Sequence, residues 1–392
     1  MPDDSRTPDA LDATRAWFAA QGFTPFAFQE EVWAAYAAGE SGLIHAPTGM
    51  GKTYAALMGA LAAGPKGGAD DPPPLTLVWI TPLRALAADT TLTITRATGA
   101  VRPFWTVGMR SGDTPASVRA RQDRRLPTVL VTTPESLSLL LSRADWRERF
   151  AHVGAVVVDE WHELMASKRG VQVELALARL RGRVPSLRTW GLSATLANPE
   201  QALACLVDAG ANAHGRIVKG VERKTVVIET AHPATIERFP WAGHIGTRLL
   251  PQVVAAIERA KTTLVFTNVR SSAEIWYQAL IDARPDWAGT IALHHGSLER
   301  DVREWVEDAI RDRRLRAVVC TSSLDLGVDF APVDQVLQIG SPKGVARLLQ
   351  RAGRSGHRPG EVSKITVLPT HALELVEAAA AREVVDDKLI EP

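Results

Sequence analysis

The chain has 392 residues, 46 % of them hydrophobic and 23 % charged, a balance that permits a large core; at roughly 150 residues per domain it holds two or three domains. A formal net charge of +1 excludes a whole-molecule field that would gather nucleic acid, so any path for a polyanion has to be local. Charges interrupt every apolar run before the ~20 residues of a membrane span, the start MPDDSRTPDALDATR has no secretory stretch, and Cys205 and Cys320 make neither a metal spacing nor a disulfide framework, which points to a reducing, cytoplasmic location without membrane contact.

Short apolar runs alternate with helical patterns. The first series predicts strands at Gly42–Ala46, Leu75–Ile80, Thr128–Val131, Val153–Val158 and Arg188–Leu192, with helices such as Gly51–Ala63, Pro134–Leu141 and Val171–Arg181. Such a βαβα order means a parallel sheet with helices on both faces. GPKGGADDPPP, residues 64–74, reads as a surface loop, because proline removes donors and glycine adds freedom. Between about Ala209 and Pro240 neither period persists. The alternation then restarts, with strands near Thr263–Phe266, Thr290–Leu293, Ala317–Cys320 and Gln335–Ile339 and helices near Ser272–Ile281 and Leu298–Ile310. The expected division is an α/β domain over 1–210, a connector over 211–240, a second α/β domain over 241–370, and over 371–392 a helix leading toward a further element.

The strongest chemical signal is APTGMGKT, Ala46–Thr53, after an apolar strand and at the start of an alanine-rich helix. Thr48, Gly49 and Gly51 lie in a turn whose N–H groups can wrap phosphate oxygens, and the helix N-terminus favours an anion. Lys52 is expected on the β- and γ-phosphates of ATP and Thr53 on Mg2+. Ala46 stands where the pattern usually begins with glycine. The second signal is VVVDEWHE, Val156–Glu163, a buried strand ending in two acids. Asp159 can hold the metal, and Glu160 can orient and deprotonate the attacking water. His162 and Glu163 make no zinc motif, since residue 166 is alanine. In GFTPFAFQEEVW, Gly22–Trp33, the Gln29 amide suits an adenine edge, and Phe26 or Phe28 could stack on the base.

With these in order, the chain resembles superfamily 2 DEXH-box helicases. TPLRALAAD (81–89), SGD (111–113), TTPES (132–136), SAT (193–195), LVFTNVR (264–270), HHGSL (294–298), CTSSLDLGVDF (320–330) and QRAGRSGH (350–357) are similar to its remaining motifs, and the set spans residues 22–357. DEWH, WGLSAT and GSPKGVARLLQRAGRSGH narrow the likeness to bacterial Lhr-type proteins, and within them to the ligase-associated DNA-repair helicases. The resemblance implies two tandem RecA-like domains, each a mostly parallel sheet, with ATP and Mg2+ between them. It implies nucleic-acid contacts at Arg84, Gly112, Thr133, Arg270 and Thr321, and coupling through His162, Ser193, Thr195 and Gln350. Further nucleotide contacts follow at Gly327 and Asp329, and a γ-phosphate contact at Arg354, with Arg351 as a lesser or structural partner; His357 stands where a second finger arginine is usual. It further implies 3′-to-5′ movement on single-stranded DNA or tailed duplex, DNA-repair partners including a ligase, and a motor core standing without the family's C-terminal domains. An RNA helicase of related fold and a double-strand translocase that does not unwind remain alternatives. Arg119, Arg121, Arg124 and Arg125 make a basic run that fits a solvated helix face as well as a nucleic-acid contact.

Overall fold

The computed structural model describes residues 7–47, 49–165, 167–194, 196, 198–207, 215–220, 226–231, 247–325, 333–356 and 362–387, apart from the side chains of 7–10, 84, 85, 247, 300, 386 and 387. The chain forms two compact units, Met1–Val221 and Glu222–Pro392.

The first unit runs α1 (Thr7–Ala20), α2 (Ala27–Ala37), β1 (Gly42–His45), α3 (Lys52–Ala63), β2 (Leu77–Ile80), α4 (Arg84–Val101), β3 (Val107–Arg110), α5 (Ala116–Arg124), β4 (Val129–Thr132) and α6 (Pro134–Leu141). It continues with α7 (Trp146–Arg149), β5 (Ala155–Val158), α8 (Trp161–Met165), α9 (Lys168–Arg181), β6 (Arg188–Ser193), α10 (Pro199–Leu206) and β7 (Arg216–Lys219). Its seven strands lie in the order β3-β4-β2-β5-β6-β1-β7, all parallel. Alternate residues of the central strands feed two cores. Leu77, Trp79 and Val157 pack with Phe18, Trp33, Leu57 and Ile94 of α1 to α4. Val78, Ile80, Val156 and Val158 pack with Leu137, Trp161, Leu177 and Leu206 of α6 to α10. Strands buried on both faces explain the unbroken apolar runs of the sequence.

The second unit runs β8 (Val226–Thr230), α11 (Leu250–Arg259), β9 (Thr263–Phe266), α12 (Arg270–Ala283), β10 (Ile291–His294), α13 (Arg300–Arg311), β11 (Ala317–Cys320), β12 (Gln335–Ile339), α14 (Val345–Ala352), β13 (Ser363–Leu368) and α15 (Ala372–Asp387). Its strand order is β10-β11-β9-β12-β13-β8, again all parallel, with one core under α13 to α15 and another under α11 and α12.

The expected connector differs from what is found. Arg216–Lys219 hydrogen-bonds along β1 and Val226–Thr230 along β13, so each sheet takes an edge strand from the segment that had no period. Edge strands of four and five residues, exposed on one side, carry too few apolar positions to register as strands.

Candidate nucleotide and strand-binding site

In a parallel sheet, ligands meet the loops at the carboxyl ends of the strands. Along this edge of the first unit the motifs separate by strand. The loops after β3, β4 and β2 carry SGD, TTPES and TPLRALAAD; those after β5, β6 and β1 carry DEWH, SAT and the phosphate loop. Adjacent strands lie about 4.8 Å apart, so the DEWH and phosphate loops root about 10 Å from each other with SAT between.

The phosphate loop turns through Gly49 and Gly51, at φ 83° and 76°. At Gly51 a Cβ would also stand 2.7 Å from the Gln29 amide nitrogen and would push that side chain aside, while the positive φ is what favours glycine. Gln29 is buried and braces this turn: its Nε2 donates to the Gly51 carbonyl at 3.0 Å, and its Oε1 accepts from Phe26 N–H at 2.9 Å. Phe28 is a core residue, which leaves Phe26, 39 % exposed, as the ring at the surface. Lys52 opens α3 and folds back over the loop, its Nζ donating to the carbonyls of Ala46 at 2.7 Å and Pro47 at 3.1 Å. An ammonium at a helix N-terminus, held on two loop carbonyls that an anion can displace, is a receptor for phosphate. Thr53 is the second residue of α3; Thr48 lies outside the described residues.

Asp159 and Glu160 end β5. Asp159 is buried; its Oδ2 accepts from Trp79 Nε1 at 3.3 Å and its Oδ1 from Glu160 N–H at 3.0 Å. Burial pushes its carboxyl up to about 7, the Glu160 carboxylate adds to the rise, and Trp79 and Lys52 oppose it. A buried carboxylate next to a half-buried one, beside one lysine, leaves excess negative charge, the condition a divalent cation relieves. Glu160 adopts φ 44°, a left-handed conformation that a non-glycine residue takes at some strain. Its Oε2 is buried, accepts no hydrogen bond among the described residues, and faces His162 Nδ1 at 3.6 Å. His162 Nδ1 is also 3.1 Å from Ser193 Oγ at the end of β6, so DEWH and SAT touch through these side chains. Trp161 instead enters the core and donates to the Ala202 carbonyl, anchoring the motif. Thr195 lies outside the described residues.

The strand-side loops are stapled by arginines. Arg169 clamps Glu135 of TTPES (Nε–Oε1 2.5 Å, Nη2–Oε2 3.1 Å) and donates to the Pro82 carbonyl of TPLRALAAD. Arg119 Nη2 donates to Gly112 O at 2.5 Å and Ser111 O at 3.3 Å. The basic run therefore divides: Arg119 holds the SGD loop, Arg125 reaches the Pro72 carbonyl, and Arg121 and Arg124 are exposed. Thr133 caps α6 and pairs with Ser136 Oγ at 3.3 Å, while Gly112 is exposed. Arg84 begins α4, and its side chain lies outside the described part.

In the second unit the loops after β10, β11, β9 and β12 are neighbours. Arg270 opens α12, exposed, with Nη1 3.2 Å from Ser297 Oγ of HHGSL. Thr321 follows β11 and is tied inward by a chain: its Oγ1 to Ser323 Oγ at 3.5 Å, Ser323 Oγ to His294 Nδ1 at 2.8 Å, and His294 Nε2 to Glu307 Oε1 at 3.0 Å. Arg351 lies inside the unit. It is 1 % exposed, its Nε and Nη2 fork onto Asp325 at 2.7 and 3.1 Å, its Nη1 donates to Gln338, and its guanidinium lies 4.7 Å from the Phe266 ring centroid. Every polar edge of that guanidinium is engaged inside the unit, which makes Arg351 a strut. Arg354 Nη2 donates to the Asp325 carbonyl at 2.8 Å, and Gln350 is buried nearby in the same segment. Gly327, Asp329 and His357 lie outside the described residues.

Residues 26–203 match the DEAD/DEAH box helicase family and residues 247–359 the helicase conserved C-terminal domain. The chain belongs to the DEAD/DEAH-box helicases of superfamily 2. Within them it is similar to Lhr-type proteins. It is 34 % identical to the Lhr helicase/probable uracil glycosylase of Mycolicibacterium smegmatis over 93 % of this chain and 27 % of that protein. It is 35 % identical to the ATP-dependent helicase Lhr-Core protein 2 of Thermococcus barophilus over 93 % of this chain and 44 % of that one. The structure of Mycobacterium smegmatis helicase Lhr bound to ssDNA and AMP-PNP superposes with a TM-score of 0.82 at 35 % identity, covering 97 % of this chain and 50 % of that chain. The chain thus spans less than half the length of these two curated relatives.

Four positions of this helicase core were not anticipated. Trp79 sits mid-strand, where an apolar run gives no reason to expect a partner for Asp159. His45 ends β1; burial first, then Lys52, Lys219 and His162, push its pKa down to about 4, so a neutral imidazole stands beside the phosphate loop. Asp325 and Arg169 act through partners 26 and 34 residues away, a separation no local pattern carries.

Proposed function

We propose that this chain is the ATP-hydrolysing motor of a DNA helicase that moves 3′ to 5′ along single-stranded DNA in DNA repair. The observation that carries it is the partition of one sheet edge into nucleotide loops on β5, β6 and β1 and strand loops on β3, β4 and β2, with DEWH and SAT joined inside the nucleotide set by the His162–Ser193 contact. Lys52 and the loop N–H groups bind the β- and γ-phosphates, Gln29 and Phe26 receive the base, and Glu160 takes the proton from the attacking water. Asp159 and Thr53 would hold Mg2+, which supplies charge neutralisation on the phosphates. Arg354 is the finger that stabilises charge on the γ-phosphate, and Arg351 holds the Asp325 loop behind it. Gly112, Thr133, Arg270 and Thr321, with Arg84, grip strand phosphates without reading bases. DNA as the track is supported by the Lhr relative solved with ssDNA; polarity, repair and a ligase partner rest on the resemblance, and a cytoplasmic setting on the cysteine usage of the sequence. Among the described residues no helix is long and apolar enough to cross a membrane. Strand displacement tests the reading: a duplex with a 3′ DNA tail is unwound with ATP, and one with a 5′ tail is not. Unwinding of an RNA-tailed substrate in preference to DNA overturns it.

A further inference from the structure

Helix α9 leaves one face open along its length. Val173, Leu177 and Leu180 enter the core, whereas Val171, Leu175, Arg179 and, just past its end, Arg183 repeat every four residues on the exposed side. Val171 is 55 % and Leu175 66 % exposed, and α6, which packs against α9, exposes Leu139 as well. The 14 residues of α9 make this stripe about 21 Å long, apolar in its first half and cationic in its second.

The cationic end opens into a cleft of about 380 Å³ lined by Trp146, Arg147, Ala178, Arg179, Gly182 and Arg183. Trp146 is the platform. The Arg179 guanidinium lies 4.4 Å and that of Arg147 5.7 Å from its ring centroid, and Arg183 Nε donates to the Arg147 carbonyl at 3.1 Å. No carboxylate lines the cleft, and among the described residues none forms an ion pair with these three arginines. Three fixed guanidiniums without counter-charge repel one another, and an anion relieves that repulsion. The ring is buried beneath the guanidiniums and offers no face to a nucleic-acid base. The cleft lies where α9 ends and β6 has yet to begin, at the sheet edge opposite the phosphate and strand loops.

We propose that the outer face of α9 and the Trp146 cleft form a docking surface for an acidic amphipathic segment of a partner protein. Phosphodiester backbone would satisfy the arginines but would leave Val171 and Leu175 against charge. A helix with leucines at its centre and glutamates at one end matches both halves of the stripe.

The test uses the full chain and a fluorescent peptide about 20 residues long, built from Glu, Leu and Ala in amphipathic order. A scrambled peptide of the same composition and a single-stranded oligodeoxynucleotide are run beside it. The patterned peptide is expected to bind saturably and more tightly than the scrambled one. Arg179→Glu with Arg183→Glu should weaken it about tenfold, and Leu175→Ser should weaken it as well, while ATPase activity and oligonucleotide affinity stay at the parent level. Absence of saturable binding, or binding indifferent to both changes, overturns the proposal. So does loss of oligonucleotide affinity in the double variant with no peptide bound, which would make the cleft a nucleic-acid site.

Discussion

Replacing Asp159 by asparagine should abolish turnover and, at the same time, stabilise the nucleotide-free protein. The carboxyl is buried, and its folded pKa stands near 7 against an ordinary value of 3.8. For an acid whose pKa is raised by folding, the neutral form is the one the fold favours. The penalty is therefore absent below about pH 4, grows as pH rises toward 7, and is full above it. A rise of about three units corresponds to at most ~4 kcal/mol. Coupling to Glu160 divides that between two groups, and the amide loses the hydrogen bond from Glu160 N–H, roughly 1 kcal/mol. A net gain of about 2 kcal/mol at pH 8 remains, which for a unit of 221 residues is on the order of 5 °C in Tm. Calorimetry of parent and Asp159→Asn in the absence of nucleotide and magnesium measures it. The difference should nearly vanish at pH 5, because the ionisation penalty falls to about 40 % of its pH 8 size while the lost hydrogen bond does not change with pH. A variant no more stable than the parent at pH 8, or equally stabilised at pH 5, refutes the reasoning and with it the picture of Asp159 as a carboxylate held at a cost for a cation.

Glu160→Gln should bind ATP as the parent does and lose turnover, since shape is kept and the proton acceptor removed; equilibrium nucleotide binding beside single-turnover hydrolysis separates the two. Arg354→Ala should lower turnover on the order of 10³-fold with ATP affinity kept, and should exceed the loss from His357→Ala. Arg351→Ala should instead destabilise the second unit by about 3 kcal/mol, because Asp325 stays buried and loses the fork, with Arg347 farther away at 3.8 Å; urea unfolding that matches the parent contradicts the strut. His294→Ala should weaken single-stranded DNA binding about tenfold through loss of the chain from Glu307 to Thr321, with nucleotide binding unchanged, read by fluorescence anisotropy.

The parts of the site that a few consecutive residues build were legible in the sequence. APTGMGKT needs only a strand, two glycines and a helix start, and all three follow one another in the chain. The βαβα alternation was legible for the same reason: strands buried on both faces are written as continuous apolar runs. What escaped depends on distance. Trp79 reaches Asp159 only because β2 and β5 are neighbours in the sheet, and Arg169 reaches Glu135 only because α9 lies on α6. Arg351 shows the limit of a motif: QRAGRSGH leaves open whether this arginine is a lesser finger or a structural partner, and only burial against Phe266 and the fork onto Asp325 separate the two. The edge strands β7 and β8 escaped because an edge strand exposed on one side owes its existence to its neighbour's hydrogen bonds more than to its own apolar content.

The central claim is that ATP hydrolysis here is driven by a nucleic-acid track, and that the track is single-stranded DNA. Steady-state Mg-ATPase activity measured in parallel with no nucleic acid, single-stranded DNA, duplex DNA and single-stranded RNA tests it most directly. The account predicts low basal activity and the largest stimulation from single-stranded DNA, a stimulation that falls steeply as salt rises because phosphate contacts release counterions. Equal activity under all four conditions, or stimulation by RNA that exceeds that by DNA, would contradict it.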